Sequence, residues 1–295
     1  MAKKSVSYLL GGLLLCQTFG GLPTAICADT NRLAEIKTER SWSASSADSG
    51  DREERSKNPT LLARADFSDC DPKFSSFSDH ANNSMQRDPV DGQRCVAGIG
   101  ANHVTYGKLT TTRFPASRDV WMSGSVYFNP GFALPQQVSG HKGMCAMGVH
   151  LWRLNDSIPS KRIQIDLNIP SGTDYFQLLL FQYEADSHRI KREFVKNTSF
   201  RPAGPRLQGK WQYWQVHVNL GTPGKSDGFL RFYADGRLVD SMERQPFLPP
   251  GADEQWGLAY ADMQSNVSAN CGDELWPRQN SWLVREVHVC KNAPC

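Results

Sequence analysis

The chain has 295 residues, of which 39% are hydrophobic and 10% aromatic. This composition excludes a disordered polypeptide, and the length suffices for one large domain or two small ones. The formal net charge of +3 is too small to indicate a nucleic-acid-binding protein, although a slight excess of base suits an anionic partner.

The first 28 residues have the pattern of a secretory signal peptide. Lys3 and Lys4 precede a short apolar run at residues 8–15, and small residues follow before the expected cleavage site. A lipoprotein signal at Cys16 is a weaker alternative, because a small residue should precede that cysteine. No stretch is long enough to span a bilayer, so we expect a secreted protein, extracellular or periplasmic, with no membrane partner.

Residues 29–60 are rich in Ser, Asp, Glu, Arg and Lys, which predicts a disordered polar linker. Globular character begins near Leu61, and residues 61–295 are predicted to form one domain. This domain has six cysteines: Cys70, Cys95, Cys145, Cys271, Cys290 and Cys295. An even number in a secreted chain indicates disulfides. Proximity favours Cys70 with Cys95, and Cys290 with either Cys295 or Cys271.

Short runs of alternating apolar and polar residues, separated by Gly, Pro, Asn and Asp, predict β-strands. The predicted strands are residues 120–129, 162–169, 175–183, 211–220, 229–234 and 282–289. Asp235-Gly236 is typical of a hairpin turn. One face of the second strand has four hydrogen-bonding side chains: Arg162, Gln164, Asp166 and Asn168. Because no long helical period occurs, we predict an all-β sandwich or barrel.

A series of short motifs runs through residues 115–290. The motifs are Gly140-His141-Lys142-Gly143, Gly209-Lys210-Trp211, Val216-His217-Val218-Asn219, Asp227-Gly228 and Tyr233-Ala234-Asp235-Gly236. In order and spacing this series resembles the alginate and glucuronan lyases of polysaccharide lyase families 14 and 20. The resemblance implies a concanavalin-like jelly roll of two antiparallel sheets, whose concave face cleaves a uronate-containing polysaccharide by β-elimination.

β-Elimination requires a group that neutralises the uronate carboxylate, a base that removes the C5 proton and an acid that protonates the leaving oxygen. His141, Lys142, His150 or a tyrosine could serve as the base, and Tyr175 or Tyr183 as the acid. The preferred catalytic residues are Lys142, His141 and Tyr183. Of these, Lys142 matches the catalytic pattern of the family. The candidate substrate-binding residues are Arg162, Gln164, Asp166, Asn168, Gln177 and His217.

Two other functions fit the same fold. A non-catalytic carbohydrate-binding sandwich would need no acid or base. A glycoside hydrolase of the laminarinase type needs two glutamates flanking an aspartate on one strand, and here Gln164 and Asn168 flank Asp166. An amide can act neither as nucleophile nor as acid, which makes hydrolysis the least favoured function.

The remaining expectations concern partners and ions. We expect a monomer whose partner is an acidic polysaccharide, with no cofactor and no catalytic metal. The loop acids Asp227 and Asp235 would allow a structural calcium ion, although Asp-Gly pairs are more simply turn residues. The run 188–192 predicts a basic loop, which either holds an acidic chain or is merely solvated.

Overall fold

Alternating side chains turn one face of most strands toward a common core. The computed structural model describes residues 58–68, 70, 83–99, 106–110, 113–132, 149–156, 162–170, 173, 175–184, 189–266 and 282–295. The predicted signal peptide, most of the predicted linker, and the catalytic candidates His141 and Lys142 lie outside these ranges. No helix in the described part of the chain has the length and hydropathy needed to cross a membrane.

The regular elements of the described residues are fourteen β-strands. In chain order they are β1 (Thr60–Asp66), β2 (Asn83–Arg87), β3 (Cys95–Ile99), β4 (Tyr106–Thr110), β5 (Asp119–Phe128), β6 (Val149–Asp156), β7 (Ile163–Ile169), β8 (Gln177–Tyr183), β9 (Ile190–Asn197), β10 (Trp211–Asn219), β11 (Gly228–Ala234), β12 (Arg237–Gln245), β13 (Leu258–Asn266) and β14 (Trp282–Lys291).

The strands form two antiparallel sheets. The eight-stranded sheet has the order β12-β11-β10-β5-β14-β3-β2, with β1 paired to β14, and the six-stranded sheet has the order β4-β13-β6-β7-β8-β9. Apolar side chains from the inner faces of both sheets form one cluster. The prediction of an all-β, two-sheet antiparallel sandwich of the jelly-roll type is therefore confirmed.

Aromatic rings dominate the contact between the sheets. Trp214 of β10 is fully buried, and its ring centroid lies 5.6 Å from that of Trp152 on β6 in the other sheet. Phe176 and Phe232 pack edge-on against Trp214 at 5.2 and 5.5 Å. Such edge-to-face arrangements are favourable for aromatic pairs and add to the gain from burying the rings.

The predicted Asp235-Gly236 turn and two of the predicted disulfides are present in the structure. Asp235 and Gly236 both have positive φ, 49° and 75°, which a type I′ hairpin turn requires. The Asp235 carboxylate accepts the backbone N–H of Tyr213, so it serves this turn. Disulfides join Cys70 to Cys95 and Cys290 to Cys295. These pairings confirm those favoured by proximity, whereas Cys145 and Cys271 lie outside the described residues.

The other loop acid, Asp227, also binds backbone. Its Oδ1 accepts the N–H of Thr222 at 2.7 Å, and this hydrogen bond is the main reason that the pKa of Asp227 is lowered. Within the described ranges, no group of three or more His, Cys, Asp or Glu residues is placed to hold a metal ion. A structural calcium ion therefore stays an untested expectation.

The prediction of a basic loop at residues 188–192 was wrong in part. Residues 190–197 form β9, at the edge of the six-stranded sheet, where it pairs with β8 alone. Seven of its eight residues are exposed, and only Phe194 is buried. Polar residues therefore occur on both faces of β9, which removes the alternation that marks a half-buried strand.

The buried carboxylate of Asp88 joins side chains of three segments on the outer face of the eight-stranded sheet. Asp88, just after β2, accepts hydrogen bonds from the Arg285 guanidinium at 2.7 Å and from the indole N–H of Trp211 at 3.1 Å. The Arg285 guanidinium also lies 4.3 Å from the centre of the Trp211 ring. Burial raises the pKa of Asp88, but the hydrogen bonds from Arg285, Trp211 and the Val90 amide outweigh it and lower the pKa.

Replacing Trp214 by Ala should lower the free energy of unfolding by about 3–5 kcal/mol, because it leaves a large cavity between the sheets. Urea unfolding followed by fluorescence measures the change. Tyr213→Ala is the matched control, since Tyr213 is the neighbouring residue on the outer face and is 37% exposed. Equal losses of unfolding free energy in the two variants would contradict the placement of Trp214 on the core face of β10 and Tyr213 on its outer face.

Replacing Asp88 by Asn should cost about 1.5–3 kcal/mol at neutral pH, because it removes charge-assisted hydrogen bonds. The lowered pKa means that this stabilisation is present above the ordinary Asp pKa and is lost as pH falls through the folded-state value. Unfolding midpoints at pH 7 and pH 3 should therefore differ less in Asp88→Asn than in the wild type. The exposed Glu254→Gln is the control, and an unchanged pH dependence in Asp88→Asn would refute this role.

Candidate functional site

A strip of polar and aromatic side chains runs along β7 and β8 on the outer face of the six-stranded sheet. It consists of four cross-strand pairs: Asn168 with Gln177, Asp166 with Leu179, Gln164 with Phe181, and Arg162 with Tyr183. We call this set the β7–β8 strip. The intervening residues of β7 all lie in the core. From Arg162 to Asn168 the strand makes six steps of about 3.3 Å, so the strip is about 20 Å long.

The middle of the strip is buried rather than open. Gln164, Asp166 and Asn168 are only 4%, 0% and 6% exposed. The side-chain amide of Gln164 donates to Asp166 Oδ2 at 2.8 Å, and on β6 and β13 the amide of Asn155 donates to Asp262 Oδ2 at 3.2 Å. These residues therefore form a buried polar layer in which side chains hold one another in place.

Three amide oxygens in this layer have no hydrogen-bond partner among the described residues. They belong to Asn155, Gln164 and Asn168. A buried polar atom without a partner costs about 1–3 kcal/mol, so each of these oxygens would gain from a donor such as a hydroxyl group. Asn168 also lies beside Gln177, whose amide donates to Asn197 Oδ1 at 2.6 Å and continues the line of amides onto β9.

The strip opens at its Arg162–Tyr183 end. A cavity of about 360 Å³ lies there, lined by Gln182, Tyr183, Glu184, Lys191, Pro249 and Trp256. The Arg162 guanidinium lies 5.6 Å from the centre of the Trp256 ring and 3.5 Å from Asp253 Oδ1. The rings of Phe181 and Tyr183 are 6.2 Å apart. A phenol and an indole therefore line an accessible space at this end, and the Arg162 guanidinium lies beside the indole.

The segment that carries Trp256 is fixed by Arg118. The guanidinium of Arg118 donates to the backbone carbonyls of Ala252, Asp253 and Trp256 at 3.3, 2.6 and 3.2 Å. Trp256 also packs against the core. Since three carbonyls of one short loop share a single cation, the indole is held in position before any ligand binds.

The structure brings six of the nine predicted site residues onto one strip: Arg162, Gln164, Asp166, Asn168, Gln177 and Tyr183. Lys142 and His141 lie outside the described residues. Whether any of these residues binds or cleaves a substrate stays a prediction, but their common placement follows from the alternation of β7.

His217 is not on the strip, which corrects the expectation that it shares a site with Gln164. It lies on β10, in the eight-stranded sheet, where Trp214, Val216 and Val218 occupy the core face. Strand parity therefore turns His217 to the opposite outer face of the sandwich. There it is 1% exposed, stacked on Trp121 with ring centroids 3.9 Å apart, and 2.9 Å from Asp119 Oδ1.

The sequence analysis missed Trp256, Asn155 and Asp262. Asn155 follows the core residue Leu154, and Asp262 lies between the core residues Ala261 and Met263, so a short alternating signal was available around Asp262. Trp256 lies in a loop with no period, and its position depends on the distant Arg118, so local pattern gives no sign of it.

Comparison with known proteins finds structural likeness alone. No protein-family model matches the chain, and no curated protein matches it. Similar solved structures include the endo-β-1,4-glucuronan lyase of the fungus Trichoderma reesei, with 9% identity, a TM-score of 0.47, and coverage of 75% of this chain and 92% of that one. The alginate lyase of Aplysia kurodai has 11% identity and a TM-score of 0.46, covering 73% and 91%.

A third similar structure is the carbohydrate-recognition domain of Emp46p, with 7% identity, a TM-score of 0.41, and coverage of 73% of this chain and 90% of that one. At these identities and TM-scores the likeness carries no argument about the site, which depends on the contacts of this chain.

Replacing Arg118 by Ala should loosen residues 252–256 while leaving the sheets intact, because Arg118 binds three carbonyls of that loop. Amide hydrogen exchange followed by mass spectrometry should show protection lost in peptides of this loop and retained in β10 and β14. Arg237→Ala, at an exposed hairpin position, is the control. Unchanged exchange in the loop would show that other contacts hold Trp256.

Proposed function

We propose that this protein is secreted, binds an acidic, uronate-containing polysaccharide along the β7–β8 strip, and cleaves it by β-elimination at the Arg162–Tyr183 end. The observation that carries the proposal lies at the end of a line of amides: Tyr183 and Trp256 line one cavity there, and the Arg162 guanidinium lies 5.6 Å from the centre of the Trp256 ring. The disulfides Cys70–Cys95 and Cys290–Cys295 support secretion, since such bonds persist in oxidising compartments.

The binding part follows from the chemistry of sugars. A pyranose ring has apolar C–H faces and a hydroxyl rim, so it suits a site with aromatic rings and amides. Phe181, Tyr183 and Trp256 supply rings, and Gln177 supplies a half-buried amide. Arg162 supplies the fixed positive charge that a uronate carboxylate needs, and its planar guanidinium suits bidentate contact with a carboxylate.

The cleavage part assigns one role to each group at the open end. Arg162 would neutralise the uronate carboxylate, which makes the C5 proton more acidic and stabilises the negative charge that develops when it leaves. Tyr183 would donate its phenolic proton to the oxygen of the bond that breaks, leaving a double bond between C4 and C5. The base is Lys142 or His141, as the sequence predicts.

A binding protein without catalysis is the second candidate, favoured by the character of the buried layer. The buried polar residues of the strip are two amides, Gln164 and Asn168, and one carboxylate, Asp166, which is hydrogen-bonded to Gln164. Amides bind hydroxyl groups well and transfer no protons. The same amides at Gln164 and Asn168 continue to disfavour glycoside hydrolysis.

The decisive experiment measures binding and cleavage separately. Wild-type protein and the variants Tyr183→Phe and Arg162→Gln are titrated with alginate, glucuronan and a neutral β-glucan by calorimetry, and product formation is followed by the ultraviolet absorbance of the unsaturated uronate. Tyr183→Phe keeps the ring, so it should bind normally and lose about 10²–10⁴-fold in cleavage rate. Arg162→Gln should weaken binding to the uronans and leave the glucan unaffected.

Tyr213→Phe, on the outer face of the other sheet, is the matched control and should behave as the wild type. Binding to uronans without any rise in absorbance would refute the proposed β-elimination and support a binding protein without catalysis. No binding to either uronan would overturn the proposal as a whole.

A further inference from the structure

We infer that a bulge in β9 makes Lys191 and Arg192 a second anion-binding subsite, which extends the β7–β8 strip past Tyr183 and takes a further acidic sugar unit of the same polysaccharide. The inference rests on the proposed function, because it assumes a polymer bound along the strip. It adds that the polymer has acid groups on units beyond the one held by Arg162, and it names the residues that bind them.

The bulge lies where β8 and β9 lose their regular pairing. Gln182 is opposite Arg192 and Tyr183 is opposite Ile190, so Lys191 has no partner residue on β8. In a regular strand, Lys191 and Arg192 would point to opposite faces. A bulge redirects side chains, and here both residues line one cavity of about 420 Å³.

This cavity adjoins the open end of the strip. It shares Gln182, Lys191 and Pro249 with the smaller cavity that contains Tyr183 and Trp256. Lys191 therefore stands between the two spaces and borders both. Gln182 has the same strand parity as the core residues Leu178 and Leu180, so the larger cavity lies at the rim of the sheet rather than on its outer face. A polymer that leaves the outer face past Tyr183 would meet Lys191 at this rim.

The charges around the larger cavity favour an anion. Lys191 and Arg192 are exposed, and neither forms an ion pair with another described residue. The described lining of this cavity contains no carboxylate: besides the two cations it comprises Gln182, Gly224, Pro246, Leu248, Pro249 and Pro250. Two adjacent cations without an ion-pair partner raise the local concentration of anions, and an acidic group placed between them would relieve their mutual repulsion.

The wall facing the cations is rigid and apolar. Leu248 is buried, and its carbonyl accepts the N–H of Gly224 at 3.0 Å, while the side-chain amide of Gln182 donates to the carbonyl of Phe247. Phe247 packs edge-on against Phe194 of β9 at 5.1 Å. The proline rings at the cavity surface offer C–H groups to a sugar face, and a preformed wall lowers the ordering cost of binding.

The test uses uronan oligomers of increasing length with Lys191→Ala, Arg192→Ala and the charge-retaining Lys191→Arg. For oligomers long enough to pass Tyr183, each alanine variant should weaken binding about tenfold, the loss expected for a charge-assisted hydrogen bond. The salt dependence of binding should fall as well. The shortest oligomers and a neutral glucan should bind as they do to the wild type, and Lys191→Arg should retain most of the affinity. Lys210→Ala, an exposed lysine beside β10, is the matched control.

Failure of this inference is distinguishable from failure of the proposed function. One outcome is that the wild type binds uronans and Arg162→Gln weakens this binding, while both alanine variants bind every oligomer normally. That result refutes the subsite and supports binding along the β7–β8 strip. Equal losses for short and long oligomers would also refute it, because the cations would then act by general attraction. Binding of poly-glutamate that depends on Lys191, together with uronan binding that does not, would overturn it in favour of an acidic protein partner.

Discussion

The packing of Trp214 against Trp152 sets the geometry on which the other features depend. Because these two indoles fill the space between the sheets, β10 has only one parity that buries Trp214, and the same reasoning applies to the isoleucines and leucine of β7. A shift of one residue would exchange the core and outer faces of a strand. The polar strip on β7 and the outward position of His217 are therefore both consequences of core packing.

The strip combines two environments that suit different tasks. Gln164, Asp166 and Asn168 lie in a buried layer, where a hydrogen bond joins Gln164 to Asp166. Toward Arg162 the same strip opens. There, a loop held by Arg118 places the Trp256 ring against the guanidinium of Arg162. Rigid support beneath an open end is the arrangement that binding sites need, since it limits the ordering cost of capturing a flexible polymer.

The strand that the sequence predicted best is one whose two faces differ in polarity. β7 was recognised, with its polar face, because every second residue is aliphatic and buried. β9 was missed because an edge strand with exposed faces has no such period, and its bulge depends on pairing with β8. His217 was grouped with the substrate-binding candidates because it could neutralise a carboxylate, and sequence gives the parity of a strand but not the sheet to which it belongs. Trp256 depends on a contact with Arg118, 138 positions away.

The position of β9 at the sheet edge has a consequence for solubility. Its outer backbone N–H and C=O groups have no strand beside them within the described sheet, and Ile190 and Val195 are 47% and 48% exposed. An exposed edge of this kind invites another chain to add as a further strand. Charged side chains between the two apolar residues oppose such pairing, and the bulge interrupts the flat edge that it would require. Lys191 and Arg192, which line the larger cavity, thus also oppose self-association through the edge of β9.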